Sequence, residues 1–250
     1  MPSDGRPPDA GPLVLGDDEV HLWLAEVTND APPVIERLSP AERARAARFH
    51  FEPDRRLYAA AHVFVRQILS RYAAVAPADW TFDTGPWGRP EIAPAQNPGR
   101  LRFNLSHSGT RIACVVARRH DVGVDVEPVR TARTSDALLA RILGDDEQIA
   151  MGALDGAARE RAFIERWTLK EAYVKATGRG LGVDVRGVQF DLPDAGAITV
   201  RLGSPAAAPD TAWTFWRRAL PDDYVVSVAV KGNGRAVRLI EPVGVPSDGD

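Results

Sequence analysis

Phe163 to Gly178 reads FIERWTLKEAYVKATG, a helical stretch closed by a glycine, and it holds Lys170 and Lys175, two of only three lysines in a chain whose other positive charge is arginine. An ammonium is a compact, mobile charge whose role a planar guanidinium fork fills badly. Two of them so close together constrain the fold: this helix has to lie where Glu171 and the lysines can reach a phosphate-bearing ligand. Trp167, Glu171 and Lys175 recur at i, i+4 and i+8, so Glu171 and Lys175 share a face with Trp167 one turn earlier. The plainer account is a surface Glu171–Lys175 ion pair worth about a few tenths of a kcal/mol.

The rest of the composition narrows the partners. A chain of 250 residues, 44% hydrophobic, can bury one large core or two modest ones without staples. Cys114 is the single cysteine, which excludes an internal disulfide and a thiolate metal site and fits a reducing cytoplasm. No window approaches the roughly eighteen apolar residues of a membrane span, and the N-terminus has neither the basic start nor the apolar run of a secretory signal. The expectation is a cytoplasmic protein with no membrane partner. A formal net charge of -3 gives no reason to expect nucleic acid, so any polyanion must be met by a local basic cluster.

Residues 1–12, rich in Pro, Gly and Asp, read as a disordered lead-in, and 241–250 as a loose tail. Val20 to Val27 alternates as a first strand. Ser39, Pro40 and Glu42 then start a helix by cap, first-turn proline and capping box. Arg43, Arg45 and Arg48 follow on it, with Arg55 and Arg56 after Pro53; they form either a solvated basic face or a docking edge for phosphates. Leu57 to Tyr72 is a second helix with a wide apolar stripe, and its His62 is left without a role. Trp80 to Pro90 reads as a strand running into a Gly/Pro loop that fixes Arg89.

Two further stretches ask for chemistry. Within Leu101–Gly109, ahead of the apolar run Ile112–Ala117, Asn104, Ser106, His107 and Ser108 are expected in a turn between two strands, more hydrogen-bonding side chains than a hairpin needs. Such a turn can bind an anion, with His107 protonated to stabilise it. In VGVDVE, Val122 to Glu127, alternation sends Asp125 and Glu127 to one face and Val124 and Val126 to the other. Paired carboxylates at i, i+2 can share a hard cation such as Mg²⁺. Beyond them, Ala137 to Leu143 is one helix, a second begins within 155–160 and ends at Gly178, and Gly178 to Gly182 is a mobile loop. Strands near Val188–Phe190, Ala197–Leu202, Thr211–Ala219 and Tyr224–Val230 read as antiparallel sheet.

Taken in order, WGRP at Trp87 to Pro90, FNLSHSG at Phe103 to Gly109, GVDVE at Gly123 to Glu127 and WTLKEAYVK at Trp167 to Lys175 resemble the 4'-phosphopantetheinyl transferases of the Sfp type. The spacing agrees as well, with roughly forty residues between the aspartate and KEA motifs. The resemblance spans about residues 39 to 190 and, more loosely, the whole chain.

It implies an α+β fold of two pseudo-symmetric halves, each a small antiparallel sheet packed on a long helix, with coenzyme A in the cleft between them. The halves would run over 13–120 and 121–240, joined near Arg118 to Val122. It implies a metal site of Asp125, Glu127 and Glu171 for Mg²⁺, and coenzyme A contacts from Ser106, His107 and Lys175, with Lys170 in the adjoining basic position. Arg89 stands where many members have lysine in a GKP motif; Arg43, Arg45 and Arg48 are the candidates on the helix near Ser39 that members often furnish with lysines, and Arg56 is a further one. Glu127, Glu171 and Lys175 would be catalytic, either carboxylate taking the proton of a carrier serine. The implied reaction is transfer of 4'-phosphopantetheine from coenzyme A to an acyl or peptidyl carrier protein of fatty-acid, polyketide or peptide synthases, by a monomer. A non-catalytic coenzyme A or carrier-binding module would have no need of three acidic positions and Lys175. A pyrophosphohydrolase is disfavoured because neither a GxxxxGK[ST] loop nor acidic helix repeats are found.

Overall fold

Along Glu19–Glu26 (β1), Val20, Leu22 and Leu24 turn one way and His21, Trp23 and Ala25 the other, and all six are buried. Such a strand must be covered on both faces. It belongs to a four-stranded sheet ordered β11-β1-β5-β4, with Leu101–Ser108 (β4), Arg111–Arg118 (β5) and Ala236–Leu239 (β11). A second sheet, ordered β6-β10-β9, is built from Val122–Pro128 (β6), Trp213–Leu220 (β9) and Tyr224–Lys231 (β10). Two short hairpins pair Phe82–Thr84 (β2) with Pro90–Ile92 (β3), and Val188–Asp191 (β7) with Thr199–Leu202 (β8). The computed structural model describes residues 12–28, 35–85, 87–129, 135–193, 197–203, 213–232 and 236–239. The lead-in expected over 1–12 lies outside these residues apart from Pro12, and the expected tail lies outside them entirely.

The layers follow from the alternation. Val20, Leu22, Leu24, Ala113 and Val115 meet Val124, Val126, Val226 and Val228 in a valine-rich core between the two sheets. Trp23, Cys114, Val116 and Phe103 face the other way, onto the apolar stripe of Glu52–Ser70 (α2), through Phe64, Ile68 and Leu69. On the far side of the second sheet lies Gly156–Thr177 (α5), whose Leu169, Ala172 and Ala176 pack on Phe215 and Ala229. Each sheet thus carries one long helix, the two-halved α+β arrangement. The first sheet is not wholly antiparallel, because β11 runs parallel to β1. This strand lies in the span expected to form the C-terminal half, yet it completes the sheet of the N-terminal one.

Local signals account for the helix ends. In Pro40–Ala46 (α1), Ser39 Oγ accepts from Glu42 N and Glu42 Oε2 accepts from Ser39 N, the expected capping box. Glu42 does more than cap: its carboxylate also meets His62 Nδ1 at 3.0 Å and Arg66 Nη2 at 2.9 Å, which gives His62 a structural role between α1 and α2. Burial pushes the Glu42 carboxyl up, but the hydrogen bonds from His62 and the Ser39 amide and the charge of Arg66 outweigh it and hold the group at about 2. The second helix begins five residues before the expected Leu57, because Pro53 sits in its first turn where no amide donor is needed. Arg55 and Arg56 therefore belong to α2. Asp136–Ile142 (α3) falls where a helix is expected, while Asp145–Gly152 (α4) was not foreseen; its acidic start, Asp145 to Glu147, is a helix-opening signal.

One contact sets the position of α5. A Cβ built on Gly123 would lie 2.0 Å from the Ala172 oxygen and 2.6 Å from the Ala176 nitrogen, so the helix backbone rests directly on β6. No other residue permits that approach. Gly178, with φ of 65°, then ends the helix in the left-handed conformation, donating its N–H to Lys175 O.

Gly123→Ala is expected to lower stability by about 1–3 kcal/mol through overpacking, read from urea denaturation. Unchanged stability with an intact near-ultraviolet circular dichroism spectrum would contradict this contact.

Candidate active site

β4 and β6 are edge strands of different sheets, and side chains join them. Asn104 Oδ1 accepts from Val124 N at 3.0 Å, Ser106 Oγ donates to Asp125 Oδ1 at 2.8 Å, and Ser108 Oγ donates to Glu127 Oε2 at 2.6 Å. The period-2 alternation of both strands makes this possible: polar residues at 104, 106 and 108 face the carboxylates at 125 and 127. The four polar residues expected in a turn are thus strand residues. The turn itself is Gly109–Thr110, and alternation sends His107 to the opposite face of β4, towards α2.

Lys175 closes the cluster from α5. Its Nζ donates to Asp125 Oδ1 at 2.6 Å and to Ser106 Oγ at 2.9 Å, so its partner is Asp125 and not Glu171, as a surface pair would require. Asp125 is buried, and among the described residues its Oδ2 has no hydrogen-bond partner. Burial pushes the carboxyls of Glu127 and Glu171 above the ordinary range, and the Asp125 charge adds to both shifts; the Ser108 hydrogen bond on Glu127 and the Lys175 charge on both work in the other direction. Hard oxygen donors that repel one another around an orphaned buried oxygen suit a divalent cation. The described residues nonetheless contain no preassembled set of three such ligands.

This cluster borders a cleft of about 800 Å³ lined by Trp87, Asn104, Trp167, Glu171, Lys175 and Val183, among others. Trp167, Glu171 and Lys175 do share the face the helical spacing predicts. His107 lies near enough to feel the charges of His62, Lys175 and Asp54; burial first, then the two cationic neighbours, lowers it to about 4. In the protein alone its ring is therefore neutral at pH 7, and the protonation expected beside an anion would need the anion to raise it.

Three other expectations meet different geometry. Lys170 does not reach the cleft: one position before Glu171, it points about 100° round the helix, into the protein. Fully buried, its Nζ pairs with Glu147 at 2.7 Å and donates to the carbonyls of Val185 at 2.8 Å and Val188 at 2.5 Å. Glu147 in turn accepts from Gly144 N and Phe190 N. Lys170 is thus the centre of a buried junction of α4, α5 and β7 and not a ligand-binding residue. Arg89 stands in the cleft wall, but its terminal nitrogens donate to four carbonyls, Lys175 and Ala176 on α5, Phe103 on β4 and Val122 on β6. It staples the three elements together where a phosphate contact was expected. Arg48 is exposed beside a separate hollow with Arg45 and Phe49, and Arg56 pairs with Glu52 at 3.0 Å; neither lines the cleft. Sequence reasoning missed Ser108 and Asn104 as partners of β6. The signal was present in the i, i+2 spacing of Asn104, Ser106 and Ser108, which matches that of Asp125 and Glu127.

Comparison with known proteins agrees with the motif order. Residues 121–229 match the 4'-phosphopantetheinyl transferase superfamily, and residues 27–120 match the N-terminal region of 4'-phosphopantetheinyl transferases. The chain is 32% identical over 232 residues to the 4'-phosphopantetheinyl transferase HetI of Nostoc sp., covering 92% of this chain and 93% of that one. The chain belongs to the 4'-phosphopantetheinyl transferase superfamily. This transferase is also 27% identical to Sfp of Bacillus subtilis over 165 residues, 66% of this chain and 71% of that protein. A holo-(acyl-carrier-protein) synthase from Bacillus anthracis, solved in complex with CoA (3',5'-ADP), superposes with a TM-score of 0.39 at 20% identity, over 44% of this transferase and 94% of that chain.

Lys170→Met should cost the transferase about 3–5 kcal/mol, because it leaves the Glu147 charge buried without its counter-ion, whereas Lys170→Met with Glu147→Gln, which removes that charge and keeps an acceptor for the backbone amides, should recover part of that loss. A stability cycle in urea measures both. A single variant as stable as wild type would refute the buried junction.

Proposed function

We propose that this transferase moves 4'-phosphopantetheine from coenzyme A to a serine of an apo carrier protein, with Mg²⁺ held by Asp125, Glu127 and Glu171. The observation that carries this reading is the buried, half-satisfied Asp125 carboxylate, set between Lys175 and two carboxylates of raised pKa at the edge of the cleft. Bound there, Mg²⁺ would supply charge for the pyrophosphate oxygens and polarise them.

The chain's own residues would do the rest. The serine Oγ attacks the β-phosphorus, the bond from that phosphorus to the bridging oxygen breaks, and 3',5'-ADP leaves with the electron pair, a displacement governed by positioning and charge. Lys175 balances the charge that grows on the departing phosphate. Glu127 or Glu171 accepts the serine proton; their raised pKa values make both better bases than ordinary carboxylates. His107 and Ser106 contact the donor's phosphates, and Arg45 and Arg48, at their own hollow outside the cleft, would meet a 3'-phosphate that reaches beyond it. No described helix is long and apolar enough to cross a membrane. The buried thiol of Cys114 fits a reducing cytoplasm. Both walls of the cleft come from one chain, so a monomer suffices, with halves over 13–120 and 121–240 working as one unit. Fatty-acid, polyketide and peptide-synthase carriers are the proposed acceptors.

Incubation with coenzyme A, Mg²⁺ and these apo carriers should add about 340 Da to a carrier serine, read by mass spectrometry. Asp125→Ala should abolish the transfer while the protein stays folded. Absence of any mass shift, despite measured coenzyme A binding, would instead favour a binding module.

The His107 ring should titrate near 4 by NMR in the free protein. Its pKa should rise on adding 3',5'-ADP, because an anion favours the protonated ring. A midpoint unmoved by the nucleotide would remove His107 from the donor site.

A further inference from the structure

Asp125 is proposed above as a metal ligand, yet the protein already neutralises it from within. Its buried carboxylate accepts from the Lys175 ammonium at 2.6 Å and from Ser106 Oγ at 2.8 Å on one oxygen, and Lys175 also donates to that same hydroxyl. This is a closed three-member cluster. A second cation on the free Oδ2 would lie within a few ångströms of the ammonium on Oδ1, and the repulsion between them weakens its binding.

The two ends of Lys175 differ in freedom. Its backbone carbonyl accepts from Arg89 Nη1 at 2.8 Å, within the staple that ties α5 to β4 and β6, so the main chain is fixed. Its side chain lines the cleft and is partly exposed, so the ammonium can swing towards a ligand there without moving the helix. A lysine stem has the rotatable bonds for that movement, and an arginine fork does not share its reach or shape.

We infer that Lys175 is a built-in competitor for the divalent-cation site: its ammonium holds Asp125 in the free protein, and a phosphate-bearing donor opens the site by drawing that ammonium away. This rests on the function proposed above. The consequence is a binding order in which the cation alone binds weakly and donor and cation bind cooperatively. By linkage, the cation must tighten donor binding by the same factor. A free protein that does not capture metal would also keep Asp125 paired until substrate arrives.

Direct Mn²⁺ binding, followed by electron paramagnetic resonance at pH 8 without substrate, tests this. Lys175→Met, which removes the charge and keeps the length, is expected to bind Mn²⁺ about tenfold to a hundredfold more tightly than wild type, and adding Asp125→Asn to it should abolish the gain. Equal affinity of wild type and Lys175→Met for Mn²⁺ alone overturns the competitor role and leaves the proposed function standing. If neither protein binds Mn²⁺, with or without coenzyme A, the metal site fails and the proposed function falls with it. A measurement on wild type keeps the test independent of how the variant folds. With only three lysines, the Nζ resonance of Lys175 can be followed by ¹⁵N NMR. It should shift when coenzyme A is added without metal, while that of Lys170, buried against Glu147, stays. A Lys175 signal unmoved by coenzyme A contradicts the inference.

Discussion

Two sheets from different parts of the chain meet at β4 and β6 without a backbone ladder, and the hydrogen bonds from Asn104, Ser106 and Ser108 across that seam are what the site depends on. Unpaired strand edges are ordinarily a liability. Here the polar face of one edge is matched to the carboxylate face of the other, residue for residue. The same alternation that buries Val122, Val124 and Val126 between the sheets turns Asp125 and Glu127 out to the seam. Fold and chemistry therefore share one register, and a one-residue slip of β6 would lose both.

The helix that completes the site is placed by a glycine and read by its rotation. Gly123 lets α5 rest on β6 closely enough for Lys175 to reach Asp125. Along that helix, two lysines five positions apart have opposite fates. Lys175 faces the seam and the cleft; Lys170, turned inward, anchors Val185 and Val188 at the other end of the segment that forms the cleft wall. A buried ammonium with three acceptors is tolerable only because Glu147 and two carbonyls satisfy it together. Lysine scarcity pointed both residues at a phosphate-bearing ligand, and for Lys170 the structure replaces that role with a structural one.

Much of this was legible in the residues. The capping box at Ser39, the apolar stripe of α2, the alternation of β6 and the helical face of Trp167, Glu171 and Lys175 each follow from a short-range period, and the structure has them. What failed were inferences about partners distant in sequence. Nothing local shows that Arg89 meets carbonyls on three other elements, or that Glu147 waits for Lys170. The polar run 104–108 looked like a turn because its partner strand, some twenty residues on, cannot be seen from within it. Likewise β11 reads as part of a terminal segment until it is seen beside β1.

The most direct measurement of the central claim is anomalous diffraction from crystals grown with Mn²⁺ and coenzyme A. The account predicts a single strong peak among the carboxylates of Asp125, Glu127 and Glu171, beside the pyrophosphate, with the Lys175 ammonium moved off Asp125. Coenzyme A bound in the cleft with no peak at those carboxylates, or with Lys175 still on Asp125, would contradict it.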